Sequence, residues 1–106
     1  MKRGLSERDI QRAIIDILRW HGWMVREISQ PRVVSGDLVG VPDVIAFRYG
    51  HTLLIECKRP GGRIRQSQVN FSDEIKPHMA ITLRYMLAND IDVFTAALDE
   101  YERMMN

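Results

Sequence analysis

The stretch GVPDVIAFRYGHTLLIECKRP, residues 40–60, decides how this chain folds. Two apolar runs, Asp43–Phe47 and Thr52–Lys58, flank Tyr49-Gly50, and each carries one acid, Asp43 in the first and Glu56 in the second. Short β-rich runs on either side of a glycine turn predict a hairpin. If it closes at Tyr49-Gly50, Arg48 lies opposite His51, and counting back along both strands sets Asp43 opposite Glu56. Their Cβ atoms would then stand about 4.5–5.5 Å apart. A four-residue loop, Arg48 to His51, keeps this register, whereas a three-residue loop with a bulge at Gly50 sends the two acids to different faces. Tyr49 is a poor residue for the left-handed backbone of a two-residue type I′ turn, so both closures stay open.

Strand parity sets Leu54, Glu56 and Lys58 on one face and Leu53, Ile55 and Cys57 on the other. Directly opposed carboxylates repel and destabilise a hairpin. A proton on one acid, the nearby Lys58, or a divalent cation held by both would offset that. Hard ions such as Mg²⁺ take oxygen ligands. The Cys57 thiol points away from the acids, though its backbone carbonyl stays within reach, and nothing nearby builds a zinc site. The plainer reading is a strand-start acid after Pro42 and a surface Glu56–Lys58 salt bridge; it leaves Ile45 and Leu54, on the same face, exposed to water.

Outward from the hairpin, Ser6 to His21 reads as a helix. Ser6 and Asp9 form a capping box, Ile10, Ala13, Ile14, Ile17 and Leu18 make one apolar face, and Gly22 stops it. Trp23–Ser29 reads as a strand and Gln30–Gly40 as a loop or irregular hairpin. After the Pro60-Gly61-Gly62 break, a helix is predicted over Gln66–Lys76, with Gln68, Phe71, Ser72 and Ile75 on one side and Pro77 preventing its continuation. Ala80–Ala88 reads as a strand, with a helix as the alternative. Asn89 or Asp90 caps a last helix over Ile91–Arg103. This order predicts one small α/β domain, residues 1–106, with a mixed central sheet flanked by helices.

Composition narrows the class. With 106 residues, 45% hydrophobic and 27% charged, the chain can build a core without staples. The lone Cys57 excludes an intrachain disulfide framework and suits a reducing compartment. No apolar run approaches the ~20 residues of a membrane span, and Met1-Lys2-Arg3-Gly4 leads into polar sequence; a cytoplasmic, intracellular protein is expected. A net charge of +1 does not announce a nucleic-acid binder. However, Lys58, Arg59, Arg63 and Arg65 cluster with no acid among them, as a phosphate-binding edge would, while acids gather over Asp90–Glu102. His21, His51 and His78 lack metal-ligand spacing or a nucleophile partner and read as structural or solvated. Met104 and Met105 read as core or interface filler.

In order, these motifs resemble the PD-(D/E)xK nucleases, and within them the virus-type replication-repair nuclease (VRR-NUC) branch. The matching residues are Ser6-Glu7-Arg8-Asp9-Ile10-Gln11, Gly40-Val41-Pro42-Asp43, Glu56-Cys57-Lys58 running into Arg59-Pro60-Gly61-Gly62, and Gln68 with Phe71 three residues on. The resemblance spans roughly residues 5 to 98. It departs at Arg65, where family members often carry a small polar helix cap.

The resemblance implies a restriction-endonuclease-like core and Mg²⁺- or Mn²⁺-dependent hydrolysis of DNA phosphodiesters. Asp43, Glu56 and the Cys57 carbonyl would hold the metal, with Glu7 touching it directly or through water. Lys58 would orient or activate the attacking water and stabilise developing charge, and Gln68 would position Lys58 or the substrate. Arg59, Arg63 and Arg65 would grip the DNA backbone. Stand-alone members resemble Holliday junction resolvases, which act as symmetric dimers, so a homodimer on branched DNA is expected. The alternatives are a flap or nicking nuclease, or a non-catalytic DNA-binding or assembly module of the same fold.

Overall fold

The computed structural model describes residues 4–28 and 39–105. The first helix, α1 (Glu7–Trp20), begins where its caps dictate. Ser6 Oγ accepts from the Asp9 amide at 3.0 Å and Asp9 Oδ2 accepts from the Ser6 amide at 3.1 Å, so two orphan donors of the first turn are satisfied reciprocally. Four strands follow the expected order: β1 (Met24–Glu27), β2 (Val44–Arg48), β3 (His51–Cys57) and, after α2 (Gln66–Ile75) and a 3₁₀ turn (Lys76–His78), β4 (Leu83–Ala88). The last helix, α3 (Ile91–Arg103), is capped by Asp90, whose Oδ1 accepts from the Val93 amide at 2.9 Å.

The sheet runs β1-β2-β3-β4, antiparallel between the first three strands and parallel between β3 and β4. It is therefore a mixed sheet, and α2 lies in the crossover that a parallel pair requires. One face carries Val25, Val44, Ala46, Leu53, Ile55 and Cys57 against Ile10, Ile14 and Leu18 of α1 and Phe94 and Leu98 of α3, forming the main core. The other face carries Ile45, Leu54 and Tyr85. There α2 turns inward through Gln68 and through Phe71, whose ring sits 6.0 Å from that of Tyr85. Among the described residues no helix is long and apolar enough to cross a membrane.

The hairpin closes as a two-residue turn. Arg48 pairs with His51 and Val44 with Ile55, the register that aligns Asp43 with Glu56. Tyr49 takes φ 46° and Gly50 φ 82°, the two positive values a type I′ turn needs. Tyrosine thus accepts the left-handed region against its preference, and seven residues of buried β3 hold it there.

Several boundaries differ from expectation. β2 and β3 each shift by one residue toward the turn, since pairing continues to Arg48 and His51. β1 starts at Met24, because the Trp23 amide still donates to Leu18 O at the helix end. β4 starts at Leu83, not Ala80: these two residues bond each other across a tight turn. α2 ends at Ile75, and Lys76-Pro77-His78 tighten into the 3₁₀ turn. The predicted segment Gln30–Gly40 lies, except for Val39 and Gly40, outside the described residues, as does Ser29.

Candidate metal and phosphoryl-transfer site

Asp43 sits just before β2, held by both its groups. Its backbone carbonyl accepts from the Ile28 amide at 2.8 Å, and Oδ2 accepts from the Cys57 amide at 2.9 Å. One carboxylate oxygen is thereby committed to β3 and the other is left for a further partner. Glu56 lies at the end of β3 on the same face and is 1% exposed. Its Oε1 accepts from Gln68 Nε2 at 3.0 Å, while Oε2 is buried with no hydrogen-bond partner.

Gln68 reaches Glu56 because of how α2 starts. The Arg65 amide donates to Gln68 Oε1 at 2.9 Å, so the amide nitrogen must face Glu56 and the glutamine cannot be flipped. Arg65 is thus the helix cap position, with Gln68 supplying the acceptor that a small polar residue at Arg65 would otherwise provide in the opposite direction. Gly40 sets the distance between α2 and the acid pair. It has φ +83°, and a Cβ there would lie 2.2 Å from the Ser67 carbonyl oxygen. Only glycine allows this approach without displacing the backbone.

Lys58 is 6% exposed, and its Nζ stands 3.6 Å from Glu7 Oε1 at the start of α1. The fold therefore brings five predicted residues together: Glu7, Asp43, Glu56, Lys58 and Gln68. Cys57 contributes backbone, with its thiol wholly buried in the main core. Burial, followed by the Asp43 and Glu56 charges, pushes that thiol far up, so it stays protonated and serves neither as a soft ligand nor as a nucleophile. Arg59, Arg63 and Arg65 are exposed on the loop leading into α2, and none is ion-paired among the described residues.

Burial pushes the Glu56 carboxyl up to about 9, with the Asp43 carboxyl next and Glu7 adding to it; Lys58 pulls the other way. Glu56 consequently carries a proton at neutral pH unless another cation replaces it. The donors present are hard oxygens, one of them orphaned and buried, and this set fits Mg²⁺ or Mn²⁺.

Two nearby residues were not expected. Tyr85 on β4 pairs with Leu54, and its hydroxyl is pushed up to about 12 by burial and by the Glu56 and Asp43 charges. Its place depends on the β3–β4 register, which leaves no mark in the sequence. Glu27, at the end of β1, accepts from Gln11 Nε2 at 3.2 Å and adds negative charge on the Cys57 side.

A second cluster lies at the far end of β2. Glu102 Oε1 is 2.7 Å from His21 Nδ1, and Oε2 accepts from Trp23 Nε1 at 2.8 Å and from Arg48 Nη1 at 3.0 Å. Ligand atoms of His21, Asp99 and Glu102 fall within 4.8 Å of one another. Both Glu102 oxygens already accept N–H groups, and Arg48 supplies the countercharge, so the cluster is a brace joining α1, β2 and α3. His51 is likewise structural, with Nδ1 2.8 Å from the Tyr101 hydroxyl, and His78 is exposed.

Neither protein-family models nor curated protein sequences match this chain.

Proposed function

We propose that this chain is a Mg²⁺- or Mn²⁺-dependent, structure-specific DNA endonuclease of the VRR-NUC branch, built on a restriction-endonuclease-like core, that resolves four-way junctions. One observation carries the reading: an acid pair of half-buried Asp43 and buried Glu56 beside Lys58, with Glu56 Oε2 given no donor. Burying a carboxylate without a partner is costly, and strongly shifted acids cluster at functional sites. A module that only bound DNA would have no use for it.

In this reading Asp43, Glu56 and the Cys57 carbonyl hold the cation. A divalent ion there supplies Lewis-acid stabilisation to a phosphodiester. Gln68 keeps Glu56 oriented, and the Cys57 amide does the same for Asp43. Lys58, restrained by Glu7, offers an ammonium to a phosphate oxygen or a water. Arg59, Arg63 and Arg65, exposed on the loop before α2, hold the DNA backbone.

A four-way junction needs two matched cuts, and one chain offers one acid pair, so the reading includes a homodimer. Met86 and Met105 pack against the core, whereas Leu87 and Met104 are exposed and available to a partner. The test is cleavage of labelled duplex, flap, fork and four-way junction with and without Mg²⁺ or Mn²⁺, together with light scattering. Matched junction cuts by a dimer support the proposal. Cutting of flaps or nicking of duplex by a monomer supports the alternative nuclease, and DNA binding without any cleavage supports the non-catalytic module.

A further inference from the structure

A groove of about 560 Å³ begins at Glu7, beside the candidate site, and follows α1 to Arg19. Arg8, Arg12 and Arg19 line it together with Ile15. Their spacing is i, i+4, i+7, i+11, which sets all four within about 60° on a helix of 3.6 residues per turn. The three arginines are exposed, and among the described residues none of their side chains has an ion pair or a hydrogen bond. Arg12 and Asp16 are spaced for an i, i+4 pair and do not form one.

Local helix physics favours Arg19, in the last turn, but disfavours the other two arginines. Arg8 sits in the first turn, where the macrodipole disfavours a cation. Arg8 and Arg12 are like charges at i, i+4, which costs about 0.2–0.5 kcal/mol. Arg8 and Arg12 are therefore not placed there for the stability of the helix. We propose that the α1 groove carries the DNA strand away from the candidate site, with Arg8, Arg12 and Arg19 as its phosphate contacts. The identity of the ligand rests on the nuclease reading. From Arg8 to Arg19 the helix advances about 16 Å at 1.5 Å per residue, and one DNA strand advances about 3.4 Å per nucleotide, so the stripe matches about five nucleotides. Three carboxylates line the groove: Glu7 is held by Lys58, Glu27 by Gln11, and Asp16, exposed between Arg12 and Arg19, is the one acid whose charge the arginines must outweigh.

The experiment measures binding of a labelled single strand and a four-way junction over a salt series in EDTA. It compares wild type, the triple variant Arg8→Gln/Arg12→Gln/Arg19→Gln, the matching triple Arg→Lys, and Arg103→Gln on α3 as control. Glutamine is a good helix former, and circular dichroism checks that α1 persists. The slope of log K against log salt should become shallower by roughly two to three in the Gln triple, with Lys restoring most of it and Arg103→Gln changing nothing. An unchanged slope in the Gln triple overturns the groove, whether or not wild type cleaves in Mn²⁺. A shallower slope supports it even if wild type cleaves nothing, and in that case only the nuclease reading fails. Wild type that ignores DNA but binds polyglutamate through the same arginines overturns the proposal in favour of an acidic protein partner.

Discussion

Gln68 donates to one oxygen of Glu56 at 3.0 Å and leaves the other buried without a partner. The glutamine orients the carboxylate without neutralising it. This half-satisfied acid, facing Asp43, is costly to bury in its charged form and is relieved by a proton or a cation.

The first consequence concerns pH. Glu56 keeps its proton in the fold up to about pH 9, against about 4.5 unfolded. Between those values the folded chain binds a proton that the unfolded chain has lost, so stability falls as pH rises, by at most about 1.4 kcal/mol per pH unit. Below the unfolded value the contribution is fully present. Urea denaturation in EDTA should show this decline, and Glu56→Gln should flatten it. Parallel pH profiles for the two proteins would remove Glu56 as its cause.

A cation that replaces the proton should act most where the proton is hardest to keep. Mg²⁺ or Mn²⁺ should raise the melting temperature more at mildly basic than at mildly acidic pH, by the usual ligand linkage. Asp43→Asn and Glu56→Gln should each abolish the rise. A rise that persists in both variants places the ion elsewhere, with the His21–Asp99–Glu102 cluster the first place to look.

Cleavage should vanish in Glu56→Ala and Asp43→Ala while DNA binding survives in both and tightens in Asp43→Ala, where a repelling charge has gone. Lys58→Ala should slow cleavage by about 10²–10³-fold, as loss of a charge-stabilising contact does elsewhere. A Lys58→Ala protein that cuts at the wild-type rate would reduce Lys58 to the salt-bridge partner of Glu7.

Gly40→Ala should damage stability and site together. The left-handed backbone alone costs about 1–2 kcal/mol for a side chain, and the added Cβ meets Ser67 O at 2.2 Å. As α2 is pushed back, Gln68 should lose Glu56, so activity should fall further than Gln68→Ala alone lowers it. Wild-type activity below the melting range in Gly40→Ala would mean that Gly40 acts only on stability.

Glu102→Ala separates the two clusters. It leaves Trp23 Nε1 and Arg48 without their acceptor, a loss of about 1.5–3 kcal/mol for hydrogen bonds to a charged group. Melting should drop while cleavage below the melting range stays near wild type.

Much of this was legible in the residues alone because it depends on local rules. The Ser6–Asp9 box and the apolar stripe of α1 follow from helix geometry. The pairing sum across Tyr49-Gly50, once closure is chosen, sets Asp43 against Glu56 with no other information. The choice of closure was not local: buried β3 forces Tyr49 into a conformation its own preference opposes. The strand starts at Met24 and Leu83 likewise depend on bonds to Leu18 and Ala80 that no periodicity reveals.

At the site, the sequence determined which acids and which lysine share a face, because strand alternation is a property of the backbone. Only the tertiary structure decided what each one meets. Glu7 faces Lys58, Gln68 takes one Glu56 oxygen and leaves the other bare, and Tyr85 arrives across a parallel pair. Those partners come from α1, α2 and β4, and their positions are set by how the helices pack and how β3 and β4 register. Burial, which raises Glu56, is likewise a property of the assembled fold, since no neighbour in the sequence removes a carboxylate from water.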